Sequence, residues 1–383
     1  MSTIIRTRSP YFIRTPQETD ANLSYFQINI TVFGGLSSST EVCDDLYAAY
    51  SLQKKPLGSE NSVSFDISEI VNDHIEQIFT GTYSASSAKS SIWVTVTTSA
   101  RESDGTAIGS VTTNTYLAQE GFNKFKDGVN YTVEPIAMVT GNYLQYHIGS
   151  VINIPVNNEK VGSVNMLYNN GATTNTNASD NGNNNQKIKY LNWATTSILP
   201  ISARFYSGSG GQGNLLQTIT LEPTEECKYP VNKITFVNRW GAMQDLFFFK
   251  KSVDSLDATR ESFNRSIFEA RAVQLDPPET PGDDCQESLT FNTYSTTAHA
   301  KKTFNANATE SVLLNSGFVN ELMNPFFEEL MVSEYIWLTD SSANIYPVNL
   351  KDSSFTYKTG LNDRLINYTM NFEKSFALVN NIR

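Results

Sequence analysis

Runs in which apolar and polar residues alternate strictly recur along this chain, and they restrict it to strands. In residues 366–373, Ile366, Tyr368, Met370 and Phe372 alternate with Asn367, Thr369, Asn371 and Glu373. A period of two sends one set to each face of a pleated ribbon, so one face meets a core and the other meets water. Phe26, Ile28, Ile30 and Val32 alternate with Gln27, Asn29 and Thr31 in the same way, and Ile92, Val94 and Val96 with Trp93, Thr95 and Thr97. Residues 47–52, 151–156, 198–206, 215–221, 287–294, 299–305, 335–338 and 345–350 read as further strands. Ser103-Asp-Gly-Thr106 has the chemistry of a hairpin turn. Composition agrees: 22 Phe and 18 Tyr accompany abundant Ser, Thr and Asn, residues of strands and turns that are weak helix formers.

Helical patterns are few. Asp66-Ile-Ser-Glu69 has capping-box spacing, and Ile67, Ile70, Val71, His74, Ile75 and Ile78 then share a face up to Gly81, which predicts one helix. His74 beside that stripe reads as a half-buried structural histidine. Asn315 or Ser316 caps a second helical stretch bearing Val319, Leu322 and Met323. Asn324-Pro325 restarts it as N-cap and first-turn proline, giving a kinked helix over 316–332.

A chain of 383 residues exceeds one ordinary core. The expected fold class is mainly β: two or three tandem β-sandwich domains with a few short helices. The expected boundaries are 1–118 for an N-terminal sandwich with one helix, 119–255 for a middle sandwich, and 256–383 for a C-terminal β domain carrying the kinked helix. Residues 169–185 are almost purely Asn, Thr, Ser and Gly, and predict a long exposed loop in the middle domain. The glycine-rich stretch 207–213 lacks the Lys-Ser/Thr of a phosphate-binding loop. Residues 277–284, with three prolines, read as a linker or long loop.

The charge of −11 disfavours a partner with a phosphate backbone, so no nucleic acid is expected. Three cysteines, Cys43, Cys227 and Cys285, lie far apart and frame neither a disulfide set nor a zinc site. No apolar run reaches the roughly 20 residues that span a bilayer, and the N-terminal residues lack a signal-peptide core, so membrane insertion is not expected. The three histidines, His74, His147 and His299, stand in no metal-ligand spacing. The acidic pairs Asp44-Asp45, Glu225-Glu226, Asp283-Asp284 and Glu328-Glu329 read as solvated surface, since neighbours on a strand face opposite ways. No catalytic residue, cofactor or metal is expected, and the chain reads as non-enzymatic.

Residues 234–249, ITFVNRWGAMQDLFFF, form the densest apolar run, with Arg239-Trp240-Gly241 at a tight turn between two strands. Gly241 suits a positive φ or a close backbone approach. Trp240 folds over the turn, and Arg239 stacks on it or pairs with Asp245. Extended to "ITFVNRWGAMQDLFFFKKS" (234–252), the run resembles a turn segment of tail and baseplate-type virion proteins of tailed bacteriophages infecting Bacteroidetes, including the crAss-like phages. "SPYFIRT" (9–15), the strand at 25–33 and "VSFDISEIVNDHI" (63–75) resemble the start of such a protein. "LLNSGFVNELMNPFFEELMVSEYIWL" (313–338) and "YPVNLKDSSFTYKTGLNDRLINYTMNFEKSF" (346–376) resemble its closing module. The resemblance implies a structural component of a tail, neck or baseplate, made in the host bacterial cytoplasm and located in the virion. Its partners would be copies of itself in a ring and other tail or neck proteins. Arg239, Trp240, Gly241 and Asp245 would then be a structural turn motif. The alternative is a carbohydrate-binding or adhesin module, with Tyr and Trp lining a sugar-stacking surface.

Overall fold

The computed structural model describes residues 4–34, 46–57, 61–83, 91–178, 188–226, 228–267, 269–274, 287–360 and 366–379, with only the backbone at 269–274 and 287–293. The described residues are mainly β, arranged in several sheets with two short α-helices. By packing density the chain divides into two units, 1–253 with 312–375, and 254–311 with 376–383.

The first unit opens with a five-stranded sheet ordered Ile4–Arg6, Ala107–Gln119, Ser91–Arg101, Tyr25–Phe33, Leu46–Lys54. Its ladders are antiparallel except the short parallel pairing of Ile4–Arg6 with Ala107–Gln119. The alternation in the sequence is realised directly. Phe26, Ile28, Ile30 and Val32 are buried, with Ile92, Val94 and Val96 beside them. On the other face Gln27 donates to Ser51 Oγ (2.9 Å), and the hydroxyls of Thr95 and Thr115 (3.2 Å) and of Thr97 and Thr113 (3.1 Å) pair across strands. The expected hairpin turn forms: Gly105 takes φ 92°, and Asp104 accepts from the Thr106 amide at 2.8 Å.

The buried face is closed by Tyr11, Ile13, Phe65, Ile67, Val71 and Ile75. The expected helix over 66–81 is much shorter, Ser68–Asn72. Asp66 does not cap it by the capping-box pattern. Its Oδ1 accepts from the Ser68 amide (3.0 Å), the Ser68 hydroxyl (2.7 Å) and the Tyr11 amide (3.1 Å), tying the helix start to the neighbouring strand. Beyond residue 74 burial alternates: Ile75, Gln77 and Phe79 are buried, Glu76, Ile78 and Thr80 exposed. The apolar spacing at 67, 70, 71, 74, 75 and 78 fits a helix, and beyond residue 74 the burial of Ile75, Gln77 and Phe79 selects an extended form instead. His74 is half-buried, its Nε2 at 2.7 Å from the Tyr50 hydroxyl, the structural role expected for it.

A second five-stranded sheet runs Thr173–Asn177, Ser163–Tyr168, Pro200–Tyr206, Leu215–Thr224, Tyr143–His147. Val151–Asn157 pairs separately with Ile188–Ala194. Part of the expected Asn-rich loop is strand: Thr173–Asn177 forms an exposed edge, where Asn165 donates to Asn175 at 2.7 Å. A polar run can join a sheet edge because the ladder's hydrogen bonds come from the backbone. Residues 179–185 of that run, all three cysteines, and the pairs Asp44-Asp45 and Asp283-Asp284 lie outside the described residues.

A third sheet places Met243–Phe248, Asn232–Val237, Ile336–Thr339, Ile345–Leu350 and Thr369–Lys374 side by side. Ile234 thus pairs with Leu246 on one side and Leu338 on the other. The run 234–249 does not close off a middle domain. It shares one core cluster with residues from both sides of the expected 255/256 boundary, among them Phe205, Phe248, Phe327 and Phe372. The kinked helix is two-part, a 3-10 turn Glu321–Met323 followed by the α-helix Asn324–Met331 with a proline in its first turn. The N-cap of the 3-10 turn is Asn320, whose side chain accepts from the Leu322 amide at 3.0 Å, not Asn315 or Ser316. Asn315 instead accepts from the Gly317 amide, at a residue with φ 70°.

The second unit contains neighbouring stretches of the strands Val253–Asn264 and Lys301–Asn315, with the hairpin Glu269–Gln274 and Glu287–Thr293. Phe263 and Phe304 meet in a tilted contact with ring centroids 6.0 Å apart, and both stay exposed.

Candidate functional site

The turn at 238–241 is built by Asn238, which is wholly buried. Its Oδ1 accepts from the amides of Trp240 (3.0 Å) and Ala242 (3.2 Å), and its Nδ2 donates to Met138 O (2.8 Å) and Gln244 Oε1 (2.9 Å). An Asn side chain that folds back on its own backbone replaces ladder bonds that the turn cannot make. Gly241 takes φ 78°, and a Cβ there would run into the backbone oxygen of Glu120. Opposite it, Gly121 has φ 135°, and a Cβ there would lie 2.5 Å from Arg239 O. The Phe122 amide donates to that same oxygen at 3.0 Å. Two segments more than a hundred residues apart therefore meet backbone to backbone, and only glycine on each side permits it.

Trp240 lies between two cations. The Arg6 guanidinium is 4.4 Å from its ring centroid and that of Arg239 is 4.5 Å away. Arg239 bridges to Asp127 at 2.5 Å, and Asp127 also accepts from the Lys124 amide at 2.8 Å. Arg6 donates to Asn123 Oδ1 (2.5 Å) and Val133 O (2.7 Å). Burial first, and then the nearby Arg239 charge, lower the Arg6 pKa to about 10, so it remains a cation at neutral pH. The stacking of two guanidinium groups on one indole is held by the partners of each.

Of the two expectations for Arg239, stacking on Trp240 holds, and pairing with Asp245 does not, since Arg239 pairs with Asp127. Thr235 and Asp245 are cross-strand partners, so Asp245 lies on the face of Thr235, well below the turn. There it accepts from Thr235 Oγ1 (2.7 Å) and the Tyr83 hydroxyl (2.6 Å to Oδ2), with Lys233 Nζ at 3.8 Å. Burial and Asp245 together push the Tyr83 phenol well above its ordinary range.

Two carboxyls that alternation alone did not flag sit near the turn. Glu329, expected to be solvated, is buried and accepts from Thr140 Oγ1 (2.6 Å) and the Arg239 amide (3.2 Å); burial raises its pKa. Its neighbour Glu328 behaves as expected of a surface acid, pairing with Lys124 at 2.6 Å. Glu120 is 1% exposed, and neither of its carboxylate oxygens has a hydrogen-bond partner. Burial pushes its pKa up to about 8, only partly opposed by Arg8 and reinforced by Glu334. No spacing in the sequence joins residues 6, 120, 127, 140, 239 and 329, because each comes from a different strand, turn or helix.

The donors around the turn are directed at the chain's own carbonyls and carboxylates. Among the described residues, no group of three or more His, Cys, Asp or Glu side chains is placed to hold a metal ion, and no helix is long and apolar enough to cross a membrane. Comparison with known protein-family models and with curated proteins finds no match.

Proposed function

We propose that this chain is a non-enzymatic structural component of a bacteriophage tail, neck or baseplate, present in several copies around the tail axis. The observation that supports this reading is the role of Arg239, Trp240 and Gly241. The segment that carries the resemblance forms a braced junction between distant parts of one unit, and its charged groups are taken up by architecture. Repeated copies of such a rigid β-block join around an axis through heterologous contacts. The test is immunogold labelling of the parent virions together with electron microscopy of the purified chain. Label on the tail and ring-shaped particles are expected. A chain that remains monomeric and is missing from purified virions rules the proposal out.

A further inference from the structure

On the face of the third sheet that carries Asp245, a cleft of about 710 Å³ opens, within the size range of small-ligand sites. Its floor is apolar, with Val151, Val231 and Phe247, and its walls carry hydroxyls and amides. Asn153 and Asn192 are cross-strand partners in the Val151–Asn157 and Ile188–Ala194 ladder; Asn192 is exposed, while the Asn153 amide donates to Val151 O (3.3 Å) and Asp245 Oδ2 (3.4 Å). From the hairpin joining Ile336–Thr339 to Ile345–Leu350 come Thr339, Asp340 and Ser341. The hairpin is held open by Ala343, which takes φ 64°, a left-handed conformation that a non-glycine residue rarely adopts. Asp340 fixes that shape by accepting from the amides of Ser342 and Asn344, both at 2.8 Å.

The charges in this cleft narrow the class of ligand. Among the described lining residues Lys233 is the one cation, and its ammonium is engaged, donating to the Tyr83 hydroxyl at 2.8 Å and lying over the Phe79 and Tyr83 rings. Asp340 and the nearby Asp245 oppose an anion. Burial lowers the His147 pKa, so its ring is neutral at pH 7 and can both donate and accept. An apolar ligand would cover the exposed Asn192 carboxamide and Ser341 hydroxyl without giving either a partner. A neutral molecule with a dense set of hydroxyls and one hydrophobic face satisfies both the walls and the floor.

We propose that this cleft is a binding site for a neutral saccharide, with Asn192 and Ser341, and Asn153 beside them, bonding its hydroxyls over the Val151–Phe247 floor. The inference goes beyond the structural reading above, and loss of either leaves the other standing.

The test is saturation-transfer NMR and calorimetry on the full chain with methyl glycosides of glucose, galactose, mannose and N-acetylglucosamine, with inorganic phosphate as the anionic control. At least one glycoside is expected to bind and phosphate is not. Asn192→Ala is expected to weaken that binding about tenfold, the worth of a hydrogen bond or two. Ser341→Trp, which fills the cleft from an exposed turn, is expected to abolish it while leaving the thermal transition unchanged. If no glycoside binds the wild-type chain, or if both variants bind as wild type does, the site is not there. Phosphate binding that is lost in the same variants would overturn the ligand class.

Discussion

At the scale of single residues, the decisive feature is how closely two backbones approach at Gly121 and Gly241. Both have positive φ, and each lies against the other's segment. Gly241→Ala should cost about 2–4 kcal/mol, combining a left-handed conformation with overpacking. Gly210 offers the control: it has φ 66° and ψ 24° with nothing within 4 Å, so Gly210→Ala should cost only about 1 kcal/mol. Urea unfolding of both variants separates the two effects, and equal losses would mean that the close approach contributes nothing. Trp240→Ala removes a half-buried indole from between Arg6 and Arg239, bringing two cations together with their shared ring gone. A loss of about 2–4 kcal/mol is expected. A variant that unfolds at the wild-type denaturant midpoint and still assembles contradicts the role given to the turn. Glu120 makes stability depend on pH. Its folded pKa of about 8 lies above its ordinary 4.5, so the folded state keeps a proton that the unfolded chain releases. Its contribution is therefore fully present below about pH 4.5 and is lost as pH rises through 8. Relative to wild type, Glu120→Gln should gain up to about 5 kcal/mol between pH 5 and 9. Parallel stability curves for the two proteins across that range would show that Glu120 does not carry the proton.

At the scale of elements, turn chemistry and burial set where each one ends. The helix Ser68–Asn72 is short because Ile75, Gln77 and Phe79 bury better as an extended segment than as further helical turns. Its start depends on Asp66, which serves the Tyr11 amide and two groups of Ser68. Asp66→Ala should cost about 1–2 kcal/mol, and Asp66→Asn less, since an amide oxygen still accepts. Amide exchange at Tyr11 and Ser68 reads the effect directly, and unchanged protection at both would remove Asp66 from that role. The hairpin at 238–241 was legible because Asn and Gly are specified by turn geometry. The Thr173–Asn177 edge was not legible, because its strand comes from the neighbouring backbone at Ser163–Tyr168 and not from its own polar side chains.

At the scale of the whole molecule, the core ignores the order of the chain. Ile234 and Phe236 pack with Ile336 and Leu338 from far along the sequence, in the same cluster as Phe205 and Phe372. A fragment spanning residues 119–255 should therefore lack a cooperative transition by circular dichroism, because 14 of the 38 buried residues of that cluster belong to the missing segment. A sharp, reversible transition in that fragment would restore the expected middle domain. The sequence by itself determined the β class, the inward faces of strands such as Tyr25–Phe33 and Thr369–Lys374, the hairpin turn at Ser103-Asp-Gly-Thr106, and the need for glycine at 241. All of these rest on interactions between near neighbours, which leave a period or a residue type behind. Only the tertiary structure decided that Arg239 meets Asp127 and not Asp245, that Glu120 and Glu329 are buried, and that the 234–249 hairpin joins the C-terminal strands. Those outcomes depend on which distant segments share a sheet or a core, and pairing between segments more than a hundred residues apart leaves no spacing for a single sequence to reveal.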